Sequence, residues 1–134
     1  MNDKYFLTLQ FKVWIEDETI RIRYLTDEIT LPIAKQAVEC RREVSNGMTY
    51  PALADIKALK SVDPAVRKFW ASEVSTDLIS AGAILISNQF HKVAGNIFIQ
   101  FNKPKMPTRL FTSESESLAW LHQFRKTRMK AYLS

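Results

Sequence analysis

The sequence predicts an α/β domain in which an N-terminal β-hairpin is followed by alternating strands and helices. Near the N-terminus, apolar and polar residues alternate on both sides of a short acidic turn. Two short apolar segments, 50–56 and 79–87, are each followed by a helical pattern. Short connections between such βα units require parallel neighbouring strands. We therefore expect a mixed, mostly parallel five-stranded sheet with four helices.

The hairpin consists of "FLTLQFKVWI" and "TIRIRYL", which flank the turn at 16–18. Alternation with period two predicts strands with one face exposed to water. The first helix follows. Thr30 can cap it, Pro32 lies in its first turn, and "SNG" at 45–47 ends it.

The remaining elements alternate in the same way. A strand at 50–56 leads to the helix "DPAVRKFWASEV", with Asp63 as N-cap and Pro64 at its first position. The strand "ISAGAILIS" is apolar on both faces, which predicts cover on both sides. A helical apolar stripe spans 90–101, "TRLFT" is a brief strand, and Ser113 with Glu116 forms a capping box for the last helix.

Length and composition are those of a single globular domain, with 134 residues, 46% hydrophobic and 25% charged. We predict the domain over residues 1–124 and a basic C-terminal tail over 125–134, because much of the net charge of +5 falls there. No apolar run is long enough to span a bilayer and the start lacks a signal-type core, so we expect a cytoplasmic protein without membrane contact. The single cysteine, Cys40, allows neither an internal disulfide nor a cysteine-based metal cluster.

Several chemistries lack their residue patterns in this sequence. The three glycines are scattered, whereas phosphate-cradling loops need glycines in a cluster. His91 and His122 are far apart, and neither has a partner at metal-ligand spacing. Neither a nucleophile elbow nor a zinc-protease signature is present. We therefore expect no catalytic residues, metal or cofactor, and interpret the protein as a non-enzyme.

Polar residues gather at the predicted carboxyl edge of the sheet, where open α/β folds place their ligands. Most of them have an alternative role as helix caps, but Asp55, which ends an apolar strand, is not explained by capping. Either a structural pairing or a binding role fits this carboxylate. The candidate partner or ligand edge comprises Asp55, Lys57, Lys60, Ser61, Asp63, Ser87 and Asn88.

Large apolar side chains form a second candidate region. They could pack the core, line a pocket for an apolar molecule, or form an interface. This set comprises Trp70, Phe90, Phe98 and Phe101.

The segments "YPALADIKALKSVDPAVRKF", "NKPKMPTRLFT" and "AWL" resemble a bacterial family of STAS/SEC14-type, SpoIIAA-like domains. The resemblance runs from about Phe11 to Phe124 and implies helices packed on a β-sheet, in stand-alone members without an assigned role. In better understood STAS relatives, a serine at the matching helix start is phosphorylated and switches partner binding. Here Pro64 and Ala65 stand at that place and carry no hydroxyl, and Ser61 lies before the helix start, so the phospho-switch is not expected.

Three functions remain open from the sequence. The first is a non-enzymatic STAS-like regulatory module that binds a protein partner or itself through the carboxyl edge. The alternative is a SEC14-like binder of an apolar small molecule. The second alternative is weak nucleic-acid binding through the basic tail, where Lys and Arg would contact phosphates; chain ends are most often solvated, and we do not expect nucleic acid as the main partner.

Overall fold

The structure, a computed structural model, describes residues 5–87 and 105–133, with the side chains of the last helix described up to Arg125. The strands are β1 (Phe6–Leu7), β2 (Phe11–Glu16), β3 (Thr19–Tyr24), β4 (Tyr50–Asp55), β5 (Ile79–Leu85) and β6 (Thr108–Phe111). The helices are α1 (Leu31–Ser45), α2 (Pro64–Trp70), α3 (Glu73–Thr76) and α4 (Glu114–Leu133). The helix predicted at 90–101 lies outside the described residues.

The described strands form one sheet in chain order, β1 to β6. The first three strands pair antiparallel, and β3 to β6 pair parallel. The predicted mixed, mostly parallel α/β sheet is therefore confirmed. Its six strands exceed the predicted five because the chain turns within the first apolar segment: the Thr8 hydroxyl oxygen accepts the N–H groups of Gln10 (3.1 Å) and Phe11 (3.0 Å). This turn separates β1 from β2.

The predicted hairpin is confirmed, and its turn is tighter than the acidic triplet suggests. Asp17 and Glu18 alone connect β2 to β3, with φ of 55° and 58°. Two consecutive residues with positive φ make a type I′ turn, whose twist matches that of the flanking strands.

Helix α1 begins and ends as predicted. The Thr30 hydroxyl accepts the N–H of Ile33 at 3.4 Å, and Pro32 lies in the first turn. Asn46 ends the helix in the left-handed conformation, with φ of 52°. The helix is thus bounded by a polar cap and a left-handed residue.

The single helix predicted over 63–74 is wrong, because two short helices occupy that segment. The Ser72 hydroxyl accepts the N–H of Ser75 at 3.4 Å and starts α3 as a new helix after α2. Asp63 does lie at the N-cap position of α2, but its side chain makes no capping hydrogen bond. The start of α2 therefore relies on Pro64, whose φ suits the first helical turn.

Helices cover the two faces of the sheet differently. Paired residues in the register share a face. Helices α1, α2 and α3 lie over what we call the front face, which comprises Ile22, Ala52, Ala54, Gly82 and Ile84. Helix α4 packs on the opposite, back face, which comprises Leu53, Asp55, Ala83, Leu85 and Phe111.

Helix α4 starts as predicted, since the Ser113 hydroxyl accepts the N–H of Glu116 at 3.2 Å. It continues to Leu133, so most of the residues predicted as a tail extend this helix. Within the described part of the chain, no helix has both the length and the apolar character needed to cross a membrane.

Candidate functional site

Asp55, the one edge residue that capping did not explain, is 6% exposed at the end of β4. One carboxylate oxygen accepts the backbone N–H of Lys57 at 3.1 Å. The other lies 3.3 Å from Nε of Arg23 and 3.9 Å from Nζ of Lys57. These contacts supply the hydrogen-bond donors and positive charge that a buried carboxylate requires, and they give Asp55 a structural role.

Arg23 extends this cluster to the last helix. Its Nη2 lies 3.6 Å from Oε1 of Glu114 in the first turn of α4. Arg23 therefore links β3, β4 and α4 on the back face. The side chains of Arg23 and Glu114 are each about two-fifths exposed, so solvent screens the outer pair more than the inner one.

The other predicted edge residues do not converge on Asp55. Nζ of Lys60 lies 3.8 Å from a carboxylate oxygen of Asp27. Ser61 and Asp63 are exposed in the connection to α2, and Ser87 is exposed after β5. Asn88 lies outside the described residues. The structure thus brings Asp55 and Lys57 together and directs Lys60 elsewhere.

The strand order also bears on where a ligand can bind. In open α/β sheets the binding crevice forms at the carboxyl edge, where the strand order reverses. The described parallel strands, β3 to β6, follow one another in chain order without a reversal. Among these strands, no such crevice is expected at the carboxyl edge.

A cavity of about 170 Å³ lies between the front face and helices α1, α2 and α3. Small residues create this space. Ala52 and Gly82 are register partners on β4 and β5, and Ala54 lies between Ile22 and Ile84. Ala52, Ala54 and Gly82 carry at most one side-chain carbon each. The helices above therefore leave the volume over the centre of the sheet unfilled. The surrounding wall is mostly aliphatic, including Val38 and Ile56.

Among the described residues, two aromatic side chains also line the cavity. The ring centroids of Tyr24 and Trp70 are 5.8 Å apart, with the planes tilted by 40°. Burial raises the pKa of the Tyr24 hydroxyl, and a hydrogen bond from Trp70 opposes this only in part. Tyr24 therefore stays neutral at physiological pH, and Trp70 of the predicted apolar set lies at the cavity. Phe90, Phe98 and Phe101 lie outside the described residues.

Arg41 places a cation at the cavity wall although it is only 2% exposed. It donates to the carbonyl oxygens of Asp77 (2.6 Å), Ser75 (2.9 Å) and Val74 (3.4 Å) around the C-terminal end of α3. Burial, with a smaller contribution from the neighbouring Arg42, lowers the pKa of Arg41 to about 10. The guanidinium is therefore still charged at neutral pH.

Arg67 is the other cation among the described residues that line the cavity. It is half-buried on α2, one helical turn before Trp70. Sequence reasoning missed both arginines. Arg41 had a detectable signal, because it occupies the same helical stripe as Ala34, Val38 and Val44.

The described part of the chain contains no candidate metal site. Nowhere in residues 5–87 and 105–133 do three His, Cys, Asp or Glu side chains come together to hold an ion. Cys40 is half-buried, and burial, followed by the charges of Glu43 and Glu39, raises the pKa of its thiol. Its neighbours thus disfavour the reactive thiolate.

Comparison with known proteins places the chain in a family. The model described as "Domain of unknown function (DUF7793)" matches residues 13–125. The chain belongs to this family. Among solved structures, the DUF7793 chain is similar to an uncharacterized protein of the DUF3478 family from Shewanella loihica PV-4, which has a SpoIIAA-like fold. The two share 14% sequence identity and a TM-score of 0.62, over 90% of this chain and 98% of the other.

This similarity confirms the predicted SpoIIAA-like fold of the DUF7793 chain, and at 14% identity it shows the fold alone. A search of curated proteins found no match. None of these three comparisons assigns a biochemical function.

Proposed function

We propose that this DUF7793 protein binds a small, mainly apolar molecule in the cavity over the front face, and that it does so without transforming it. The cavity itself is the observation that carries the proposal. Apolar cavities of roughly 150 Å³ take up molecules the size of benzene. A volume of about 170 Å³ is therefore enough for one ring or a short aliphatic chain.

The chemistry of the walls supports the same ligand class. Ile22, Ala54 and Ile84 offer aliphatic surface from three adjacent strands, and Trp70 adds an aromatic surface. Removing such surface from water stabilises a complex by about 25 cal/mol per Å². Pockets of this composition, with a few polar groups, are typical of small-molecule sites.

The test measures methyl chemical shifts of the protein during titration with benzyl alcohol, a neutral ring compound. We expect saturable shifts at Ile22, Ala52, Ala54 and Ile84. The variant Ala54→Leu fills the cavity and should abolish them. The matched control, Ala119→Leu, makes the same change on the exposed side of α4 and should bind as the wild type does. Absence of saturable shifts, or equal binding by Ala54→Leu, would refute the proposal.

A second candidate function is association with a protein partner or a second copy through the edge of β1. Large apolar side chains are exposed around this edge strand, up to 90% for Leu9. Exposed apolar groups beside an unpaired strand edge favour association. The group comprises Tyr5, Leu7, Leu9 and Leu25.

Light scattering over a range of protein concentrations tests this candidate. We expect the average mass to rise with concentration in the wild type and to stay monomeric in the double variant Leu7→Lys/Leu9→Lys. Val74→Lys changes an exposed apolar residue on α3 and serves as the control. A monomeric wild type that also captures no protein partner would exclude the candidate.

A further inference from the structure

We infer that the molecule bound in the cavity is a monocarboxylate whose negative charge is held by Arg67. The inference rests on the proposed function and names the ligand class of that site. Three observations support it: the charges at the cavity, the lack of described partners for the Arg67 guanidinium, and the volume of the cavity.

The charged residues described at the cavity are all of one sign. Arg41 and Arg67 are among the described residues that line it, and none of those residues is Asp or Glu. A partly enclosed site with apolar walls and fixed positive charge raises the local concentration of anions. A purely apolar ligand would leave this charge uncompensated.

Arg67 differs from the other arginines with described side chains. Arg21, Arg23, Arg41, Arg42 and Arg125 each donate a hydrogen bond, and Arg109 stacks on aromatic rings. The guanidinium of Arg67 has no hydrogen bond, ion pair or ring contact to any residue in 5–87 or 105–125. A half-buried guanidinium with five N–H donors is thus available to a ligand.

Arg41 contributes positive charge to the site, whereas Arg67 contacts the ligand. Its hydrogen bonds go to neutral carbonyl oxygens, while the nearby Asp77 carboxylate pairs with Arg42 at 2.9 Å. The charge of Arg41 therefore contributes to the positive potential over the front face. Arg67, on the same helix as the cavity-lining Trp70, supplies the open donors.

A carboxylate suits the donor geometry of Arg67. The planar fork of a guanidinium matches the two oxygens of a carboxylate. The whole cavity, about 170 Å³, accommodates the carboxylate together with one ring or a short chain. Benzoate combines both features and is a suitable probe, and benzamide is its neutral counterpart of the same shape.

The experiment titrates the 134-residue chain with benzoate and with benzamide at neutral pH and low salt, following the cavity methyl groups by NMR. In the wild type we expect benzoate to bind at least about tenfold more tightly than benzamide. Arg67→Gln should remove this preference by weakening benzoate alone, and Arg67→Lys should keep part of it. Lys68→Gln, which removes an exposed charge from the same helix, is the control and should change neither affinity.

Equal affinities of the wild type for benzoate and benzamide would overturn the assignment of a carboxylate ligand while leaving the proposed function intact. Undiminished benzoate binding by Arg67→Gln would overturn the role of Arg67. Failure of benzoate, benzamide and benzyl alcohol alike to bind would instead refute the proposed function, and this inference with it. Circular dichroism checks that each variant is folded.

Discussion

Arg23 on β3 and Asp55 on β4 are register partners in the parallel part of the sheet, and their side chains form an ion pair with 3.3 Å between Nε and Oδ2. The pair lies on the back face, on the side of the sheet opposite the cavity. An acid at the end of an apolar strand therefore has a structural explanation in this fold. Binding at the front face and ion pairing at the back face are separate features of the molecule.

Replacing Asp55 by alanine should lower the free energy of unfolding by about 1–3 kcal/mol, because Arg23 and the Lys57 N–H lose a buried acceptor. The partial exposure of Arg23 keeps the loss below that of a fully buried pair. Urea denaturation measures it. Asp27→Ala, which breaks the exposed pair with Lys60, should cost no more than about 0.5 kcal/mol. Equal losses in the two variants would contradict the structural role of Asp55.

Replacing Arg41 by leucine should lower the free energy of unfolding by about 2–3 kcal/mol. The substitution leaves the carbonyl oxygens of Val74, Ser75 and Asp77 without their donor. Thermal and urea denaturation measure the loss. Arg42→Leu, which breaks an exposed pair with Asp77, is the control and should cost at most about 1 kcal/mol. A stable Arg41→Leu protein would show that α3 does not need this contact.

The thiol of Cys40 should react slowly with a disulfide reagent near pH 8, compared with a small free thiol. Burial and the charges of Glu43 and Glu39 raise its pKa, so the thiolate fraction at that pH is reduced. The rate should rise as the pH increases through the raised value, and on unfolding in urea. Glu39→Gln and Glu43→Gln should each speed the reaction slightly. A folded protein as reactive as the free thiol would contradict the described surroundings of Cys40.

Introducing a glycine at one turn and removing a glycine from another should change the free energy of unfolding in opposite directions. Glu18→Gly should stabilise the fold by about 0.5–1 kcal/mol, because φ at this turn position is 58° and glycine adopts it without strain. Gly47→Ala should destabilise by about 1 kcal/mol, because φ there is 80° although nothing lies within 4 Å of an added Cβ. Thermal unfolding compares both with the wild type. A loss of stability in Glu18→Gly would show that the glutamate side chain contributes more than the backbone strain costs.

The sequence was sufficient for the sheet class, the hairpin and the caps at Thr30 and Ser113, because these depend on local chemistry. It did not predict the short turn that separates β1 from β2, since Thr8 sits in an alternating pattern that continues through it. Its helical pattern also predicted one helix where the structure has α2 and α3, because the Ser72 cap lies within that continuous pattern. In both cases a single hydroxyl competes with the regular backbone pairing, which periodicity cannot show.

The candidate site was less accessible to sequence reasoning than the fold. The cavity depends on small residues from two strands that become neighbours through the register, Ala52 on β4 and Gly82 on β5. No local pattern in the sequence predicts such a space. Nothing in the sequence distinguishes Arg67 from the other charged residues of its helix, and its difference from the other arginines appears only when their partners in the structure are compared.

The chain order of the strands has a consequence for how this protein is made. Each described strand after β1 pairs with the one that precedes it along the chain, so the sheet can grow step by step as the polypeptide leaves the ribosome. The last helix is the exception, since Arg125 reaches back 108 residues to bond the carbonyl and pair with the carboxylate of Asp17. Helix α4 therefore has to be synthesised before the first hairpin can be fastened to it, and the hairpin and this helix should form and loosen together.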